Sequence, residues 1–258
     1  ALLAAFNRGF AAIKKDGTYD KIVAKYLGAR QATFSGTKSD NSTVLGILRT
    51  NKTALLNGLW QTIVLTVIAI IFASIWGILL GIMGVSQFSW VRGIATTIIY
   101  IFRGLPLMVL AFFIYIGLPG LTGVKIPAFT AGIITLILNE GAYTGAFVRG
   151  GFEAVNRGQM EAARSLGLSY SQAMRRVVMP QGLRIMVPSF INQFIITLKD
   201  TSILSAIGLL ELTQTGSLIV ARNSQGFRVW AIIGVMYLIL ITLLTWFSRW
   251  VEKRMTVK

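Results

Sequence analysis

Long apolar stretches separated by short polar segments make up most of this 258-residue chain. Four or five of these stretches reach the ~20 residues that a helix needs to cross the hydrocarbon core of a bilayer. No charged residue occurs between Thr53 and Val91, for example. The pattern predicts an all-α membrane protein with five transmembrane helices. The predicted spans are roughly residues 56–85, 90–118, 128–150, 185–210 and 229–250.

The first 28 residues have a different pattern, that of an amphipathic helix that stops near Gly17 and a second short helix that ends at Gly28. Their apolar face has nothing to pack against, so we expect residues 1–28 to be the C-terminal remnant of a larger soluble domain. The chain would then be part of a longer polypeptide. Residues 29–53 are polar and rich in Ser, Thr and Gly, which predicts a linker. Residues 54–258 would form the transmembrane domain.

A net charge of +16 with only 13% charged residues changes the picture in one respect. Nucleic-acid binding is the less favoured interpretation, because cytoplasmic loops of membrane proteins are themselves basic. An outside N-terminus and a cytoplasmic C-terminus agree with the positive-inside rule. This orientation leaves Lys125, Arg222 and Arg228 in the outer loops after the first span. It places in the inner segments Arg92, Arg149, Arg157, Arg164, Arg175, Arg176, Arg184, Arg249, Lys253, Arg254 and Lys258.

The chain lacks the residues that several kinds of chemistry require. It contains no Cys and no His, which excludes thiolate chemistry, disulfides, Cys/His metal sites and His acid–base catalysis. We expect no metal site. It also lacks the Gly-x-x-x-x-Gly-Lys-[Ser/Thr] loop that holds ATP phosphates, so we expect no cofactor and no enzymatic activity in this chain.

The loop between the third and fourth predicted spans, residues 151–184, is rich in arginine and patterned as two short helices. Asn156 with Gln159, and Ser169 with Gln172, have the spacing of capping boxes at helix N-termini. Gly167 lies where the first helix must end. A proline is expected to close the second helix. A polar loop with this much order predicts a structured docking element.

A specific resemblance adds to this interpretation. Glu161-Ala162-Ala163, three residues, Gly167, nine residues and then Val177-Val178-Met179-Pro180 resemble the coupling-loop signature of ABC-importer permeases. The resemblance implies the type I permease fold and docking of loop 156–180 on a separate ATP-binding-cassette ATPase dimer, which carries ATP and Mg²⁺. The alternative is a surface helix pair without a partner. The coupling residues implied are Glu161, Ala162, Ala163, Arg164, Gly167 and Pro180.

Further motifs are similar to the polar amino acid subfamily of these permeases. They are Arg103-Gly-Leu-Pro-Leu107, Asn139-Glu-Gly-Ala-Tyr143, Val148-Arg-Gly-Gly151 and Leu198-Lys-Asp-Thr-Ser202. Residues 1–28 resemble the end of an amino-acid-binding domain, as in Gram-positive fusions of receptor and permease. The resemblance implies a bacterial plasma-membrane importer of glutamine, with arginine or another basic amino acid second. A second permease copy is expected because one copy has only five spans, and the resemblance implies a homodimer or a pair of related permeases.

Ionisable residues inside the predicted spans cost free energy unless they are paired or face water. A polar site for a zwitterion would account for them, with Arg103 on the carboxylate and Glu140 on the ammonium. Two alternatives stay open: Arg103 and Glu140 form a structural ion pair, or Lys199 and Asp200 are solvated at the outer surface. The candidate pathway residues are Arg103, Asn139, Glu140, Tyr143, Lys199, Asp200 and Thr201.

Glycines at four-residue spacing have a different interpretation. Gly77 and Gly81 suit close helix packing, and Gly141 and Gly145 are expected to be packing contacts as well. Two other classes of protein compete with the importer. One is an ion-coupled secondary transporter, although no inverted repeat is visible in the sequence. The other is a channel or a structural membrane subunit.

Overall fold

The computed structural model describes residues 2–21 and 43–256, and no strand occurs within these ranges. The chain divides into two compact units, Ala1–Thr50 and Asn51–Lys258. The helices are α1 (Leu2–Lys15), α2 (Val44–Gly84), α3 (Ser89–Gly104), α4 (Leu107–Thr122), α5 (Ala128–Glu153), α6 (Arg157–Ser165), α7 (Tyr170–Ile207), α8 (Leu212–Asn223) and α9 (Gly226–Thr256).

The first unit begins with α1, which ends at Lys15, just before Gly17 with its φ of +76°. The stop predicted near Gly17 is confirmed, and a further helical turn begins at Thr18. The end predicted for that helix, Gly28, lies outside the described residues. So does most of the predicted linker. The Thr43 hydroxyl accepts a hydrogen bond from the Gly46 amide at 3.0 Å, as an N-cap does, and residues 44–53 are helix and not linker.

Three helices, α2, α5 and α9, are long and apolar enough to cross a membrane by themselves. Two bent pairs, α3 with α4 and α7 with α8, pass the same test together, which gives up to five spans in the described ranges. The predicted span 90–118 is not one straight helix, because the chain turns by 99° between α3 and α4. Leu105 is extended because the residue before a proline is disfavoured in the helical region.

Glycines bring α2 and α5 unusually close together. A Cβ on Gly77 would lie 2.6 Å from the Gly141 carbonyl oxygen, and one on Gly81 would lie 2.3 Å from Cγ1 of Val148. In the other direction, a Cβ on Gly141 would meet Trp76 and one on Gly145 would meet Leu80. All four glycines are therefore packing contacts between the two helices, as their spacing predicted.

The segment after residue 210, predicted to be a polar outer loop, is instead a packed helix. The Glu211 carboxylate is buried and accepts hydrogen bonds from the Thr213 and Gln214 amides at 2.8 and 2.7 Å, which caps α8. It also accepts one from the Tyr237 hydroxyl of α9 at 2.9 Å. The Leu212 amide donates to the Thr62 hydroxyl of α2 at 3.1 Å. Side chains from α2 and α9 thus hold the start of α8.

Candidate transport site and coupling loop

A cavity of about 490 Å³ opens where the α3–α4 break faces α5 and α7. We call it the transport cavity. Its walls combine one basic and two acidic side chains with amides and apolar groups. Five of the candidate pathway residues line it. The lining residues are Arg103, Gly104, Leu105, Pro106, Leu107, Asn139, Glu140, Tyr143, Phe147, Gln193, Ile196 and Asp200.

Arg103 reaches the cavity from the last turn of α3. Its guanidinium carbon lies 4.9 Å from the centre of the Tyr143 ring, which is within the range of a cation–π contact. No ion pair joins Arg103 to Glu140 among the described side chains, so the structural pair considered from the sequence is not formed. Tyr143 holds the guanidinium and leaves its forked donors available to a ligand.

Asn139 has a positioning role in this structure. Its side-chain amide donates a hydrogen bond to the Phe102 carbonyl at 2.9 Å. Phe102 lies in the last turn of α3, where carbonyl groups lack partners within the helix. A second contact joins the same two helices near the C-terminal end of α5. There Arg149 donates to the Thr96 hydroxyl of α3 at 3.1 Å and forms an ion pair with Glu153 of its own helix at 2.7 Å. Two hydrogen bonds therefore hold α3 against α5.

Glu140 is 1% exposed and lies near the middle of α5. Oε2 accepts a hydrogen bond from the Gln193 side-chain amide of α7. Oε1 has no hydrogen-bond partner among the described residues. A buried carboxylate oxygen without a partner carries a large desolvation cost, and such groups in native proteins call for an explanation in function. Sequence reasoning missed Gln193, whose only signal is an amide within an apolar run.

The side chains of the Lys199-Asp200-Thr201 segment point in different directions and do not meet in one cavity. Asp200 lines the transport cavity, whereas Lys199 is exposed elsewhere. The helix does not unwind here: it stays α-helical to Asp200 and tightens into a 3₁₀ turn from Thr201. The Thr201 hydroxyl is buried and donates to the Leu198 carbonyl at 2.7 Å. Successive helical residues point about 100° apart, and so only Asp200 faces the cavity. Lys199 and Thr201 do not line this cavity, and their place on the pathway stays a prediction.

The loop after α5 folds as helix, glycine turn and helix, as its pattern predicts. Gly167 adopts a φ of +88°, its amide donates to the Arg164 carbonyl, and the Leu168 amide donates to Ala163. These are the two hydrogen bonds of a Schellman motif. Ser169 and Gln172 form a complete capping box at the start of α7.

Two local predictions for this loop need correction. Asn156 caps the Gly158 amide at 2.8 Å, but the Gln159 side chain pairs with Gln181 instead of closing a capping box. Pro180 does not end the second helix. A π-helical turn over Met174–Val178 precedes it, and the helix continues to Ile207. The wider turn accommodates the residue that has no amide hydrogen.

The loop presents a mixed surface. Of the six predicted coupling residues, Ala163 is buried, at 5%, and the other five are exposed: Glu161, Ala162, Arg164, Gly167 and Pro180. Leu166, which no sequence motif singles out, is 85% exposed at the tip of the loop.

Bent apolar helices around a polar cavity, followed by an exposed two-helix loop, are the architecture of a type I ABC-importer permease. A chain in the crystal structure of an amino acid ABC transporter with histidines shares it with a TM-score of 0.78 and 33% identity, covering 82% of this chain and 98% of that one. A chain of the methionine transporter MetNI, at 21% identity, shares the fold with a TM-score of 0.69, covering 81% and 99%.

Residues 73–257 match the family described as binding-protein-dependent transport system inner membrane component. The chain belongs to this family. The glutamine transport system permease GlnP of Escherichia coli K12 is 37% identical over 171 residues, 66% of this chain and 78% of that protein. The probable glutamine permease GlnM of Bacillus subtilis is 31% identical over 82% of this chain and 97% of that protein. The L-cystine permease TcyL of the same species is 33% identical over 75% of this chain and 83% of that protein.

Family membership confirms several predictions at once. The chain is a multi-pass membrane protein and the permease subunit of an ABC importer. It is a transport subunit and not an enzyme, and its partners include a separate ATPase and a binding protein. No cluster of residues that would suit a metal ion occurs in residues 2–21 and 43–256.

Proposed function

We propose that this permease imports a polar amino acid, with glutamine the first candidate, through the transport cavity. The observation that carries the proposal is the placement of Arg103 and two carboxylates, Glu140 and Asp200, on the walls of one cavity. An amino acid presents a carboxylate and an ammonium, which match these charges. The names of GlnP and GlnM support glutamine.

Each wall of the cavity has a distinct role in this proposal. The Arg103 guanidinium binds the substrate carboxylate through two parallel hydrogen bonds. The unpartnered oxygen of Glu140 accepts from the ammonium, with Asp200 facing it from α7. Tyr143 and Asn139 position Arg103 and the end of α3. Because two acids face one base, a basic amino acid such as arginine is the second candidate.

The coupling loop, residues 156–180, transmits the closure of the ATPase dimer. Glu161, Ala162, Ala163 and Arg164 form the contact surface on α6, and Gly167 sets the turn that follows. Only three residues separate the end of α5 from the start of α6. A movement of α6 therefore displaces α5, the helix whose side chains Asn139, Glu140 and Tyr143 line the transport cavity. ATP and Mg²⁺ are bound by the partner ATPase.

The surrounding assembly follows from the sequence pattern. We place the N-terminus outside the bacterial plasma membrane and the C-terminus in the cytoplasm, since that orientation puts most basic residues inside. Residues 1–28 belong to an extracellular amino-acid-binding domain joined to the permease. Two copies of the permease form a homodimer.

Substitution of Arg103 tests the assigned cavity. One hydrogen bond to a charged group contributes about 1.5–3 kcal/mol, so Arg103→Ala, which removes two, should weaken substrate binding by at least about 10- to 150-fold. Radiolabelled glutamine and arginine uptake into proteoliposomes containing the full transporter measures this loss. Lys125→Ala removes a basic residue from the loop before α5 and should leave uptake unchanged. Normal uptake by a correctly assembled Arg103→Ala transporter would exclude the proposed site.

A further inference from the structure

A second cavity, of about 260 Å³, lies beside the transport cavity. The two cavities share two lining residues, Glu140 and Gln193, whose side chains are hydrogen-bonded to each other. Both side chains are buried, with exposures of 1% and 6%. We call the second cavity the inner chamber. It is lined by Ile70, Ala73, Ser74, Glu140, Thr144, Phe190, Ile191, Gln193, Phe194 and Thr197.

The two cavities lie side by side along the same helices. On α7, the inner chamber is lined from Phe190 to Thr197 and the transport cavity from Gln193 to Asp200. This offset of three residues is about 5 Å at a rise of 1.5 Å per residue. On α5, the inner-chamber residues Glu140 and Thr144 lie within the stretch from Asn139 to Phe147 that lines the transport cavity. The inner chamber therefore lies beside the transport cavity, with its α7 wall displaced toward the coupling loop.

The chemistry of the two cavities differs as well. Arg103 and Asp200 line only the transport cavity. The inner chamber offers hydroxyl groups of Ser74 and Thr144 together with aromatic rings, and its only ionisable residue is the shared Glu140. A zwitterion that moves into it keeps a partner for its ammonium and loses the one for its carboxylate. Weaker binding of this kind suits a site from which substrate leaves.

We propose that the Glu140–Gln193 hydrogen bond is a partition across the transport pathway, and that the inner chamber is a second, weaker subsite for the amino acid beyond it. This inference rests on the proposed function for the nature of the ligand. Gln193 is a gating residue in this proposal. Its side-chain amide, bonded to Glu140, closes the passage between the two cavities, and rotation of the side chain away from Glu140 opens it. Glu140 faces both cavities and can hold the ammonium throughout the passage.

Cysteine labelling tests the partition, since the chain contains no cysteine of its own. Ile196→Cys reports on the transport cavity and Ser74→Cys on the inner chamber. Each is introduced into the complete transporter in proteoliposomes without nucleotide. A membrane-impermeant thiol reagent is then added to one face or the other. We expect each face to label one of the two cysteines clearly faster than the other.

Gln193→Ala should merge the two cavities, so that the two cysteines are labelled at similar rates from one face. Asn192→Ala removes the neighbouring, exposed amide and should preserve the difference. Should Gln193→Ala fail to assemble, Gln193→Met retains the length of the side chain but not the hydrogen bond, and labelling should still accelerate. Equal labelling with Gln193 present, or unchanged labelling in both variants, would overturn the partition.

The same proteins separate this inference from the proposed function. Glutamine or arginine should protect Ile196→Cys from the reagent if the transport cavity binds amino acids. A partition without protection would retain the two chambers and reject the amino acid site. Protection without a difference between the two cysteines would retain the site and reject the gate.

Discussion

Gly77→Ala tests whether close approach of α2 and α5 stabilises this permease. The added Cβ would lie 2.4 and 2.5 Å from two Thr144 carbons and 2.6 Å from the Gly141 carbonyl oxygen, where ordinary contact begins at 3.4 Å. Thr144 can change its rotamer, but the Gly141 oxygen belongs to the backbone. The two helices must therefore separate by up to about 0.8 Å, a gap that forfeits a quarter to a half of each affected van der Waals contact.

Overpacking of this kind costs about 1–3 kcal/mol. Because a membrane protein unfolds irreversibly, the suitable measurement is the temperature at which the detergent-solubilised transporter loses its monodisperse elution peak. The destabilised variant should therefore lose this peak at a lower temperature than the wild-type transporter.

Gly234→Ala is the matched control, because a Cβ there has no neighbour within 4 Å. It should leave stability unchanged or raise it by up to about 1 kcal/mol through helix propensity. Equal behaviour of Gly77→Ala and Gly234→Ala would refute the reasoning that the α2–α5 contact depends on missing side chains.

Three further predictions concern the loop and the α3–α5 contact. Gly167→Ala forces alanine to a φ of +88° and should cost about 1–2 kcal/mol, whereas Gly150→Ala, which has open space and no such strain, should not; thermal stability measures both. Glu161→Lys should abolish copurification with the ATPase and ATP-dependent uptake, Glu161→Gln should reduce them less, and unchanged uptake by the lysine variant would reject the docking surface. Thr96→Val removes a hydroxyl that accepts a hydrogen bond from α5 and should cost about 1 kcal/mol in the same thermal measurement, while Thr97→Val should be neutral.

The apolar stretches predicted the membrane helices well because span length depends on local composition alone. The four-residue spacing of Gly77 and Gly81 likewise predicted a packing face, and Gly167 predicted a turn. These signals are local, and each has one dominant physical cause.

Features that depend on distant partners were not predicted. The polar sequence after residue 210 predicts a loop and not the start of α8, because the Glu211 carboxylate finds its partner in Tyr237 of another helix. Pro180 was expected to end a helix that a π turn allows to continue. Gln193 carries no charge and gave no signal in an apolar run, although it holds the carboxylate of Glu140.

The two hydrogen bonds between α3 and α5 have a mechanical consequence for the transport cavity. Asn139 and Arg149 join the two helices by hydrogen bonds at two positions, so the wall that bears Arg103 and Glu140 should move as one rigid unit. Asp200 lies on α7, which packs closely against α5 near the coupling loop, where a Cβ on Gly151 would lie 3.1 Å from a carbonyl oxygen of α7. A pivot at this contact, about 16 Å from Glu140 along α5, would turn a small tilt into a wide opening of the transport cavity.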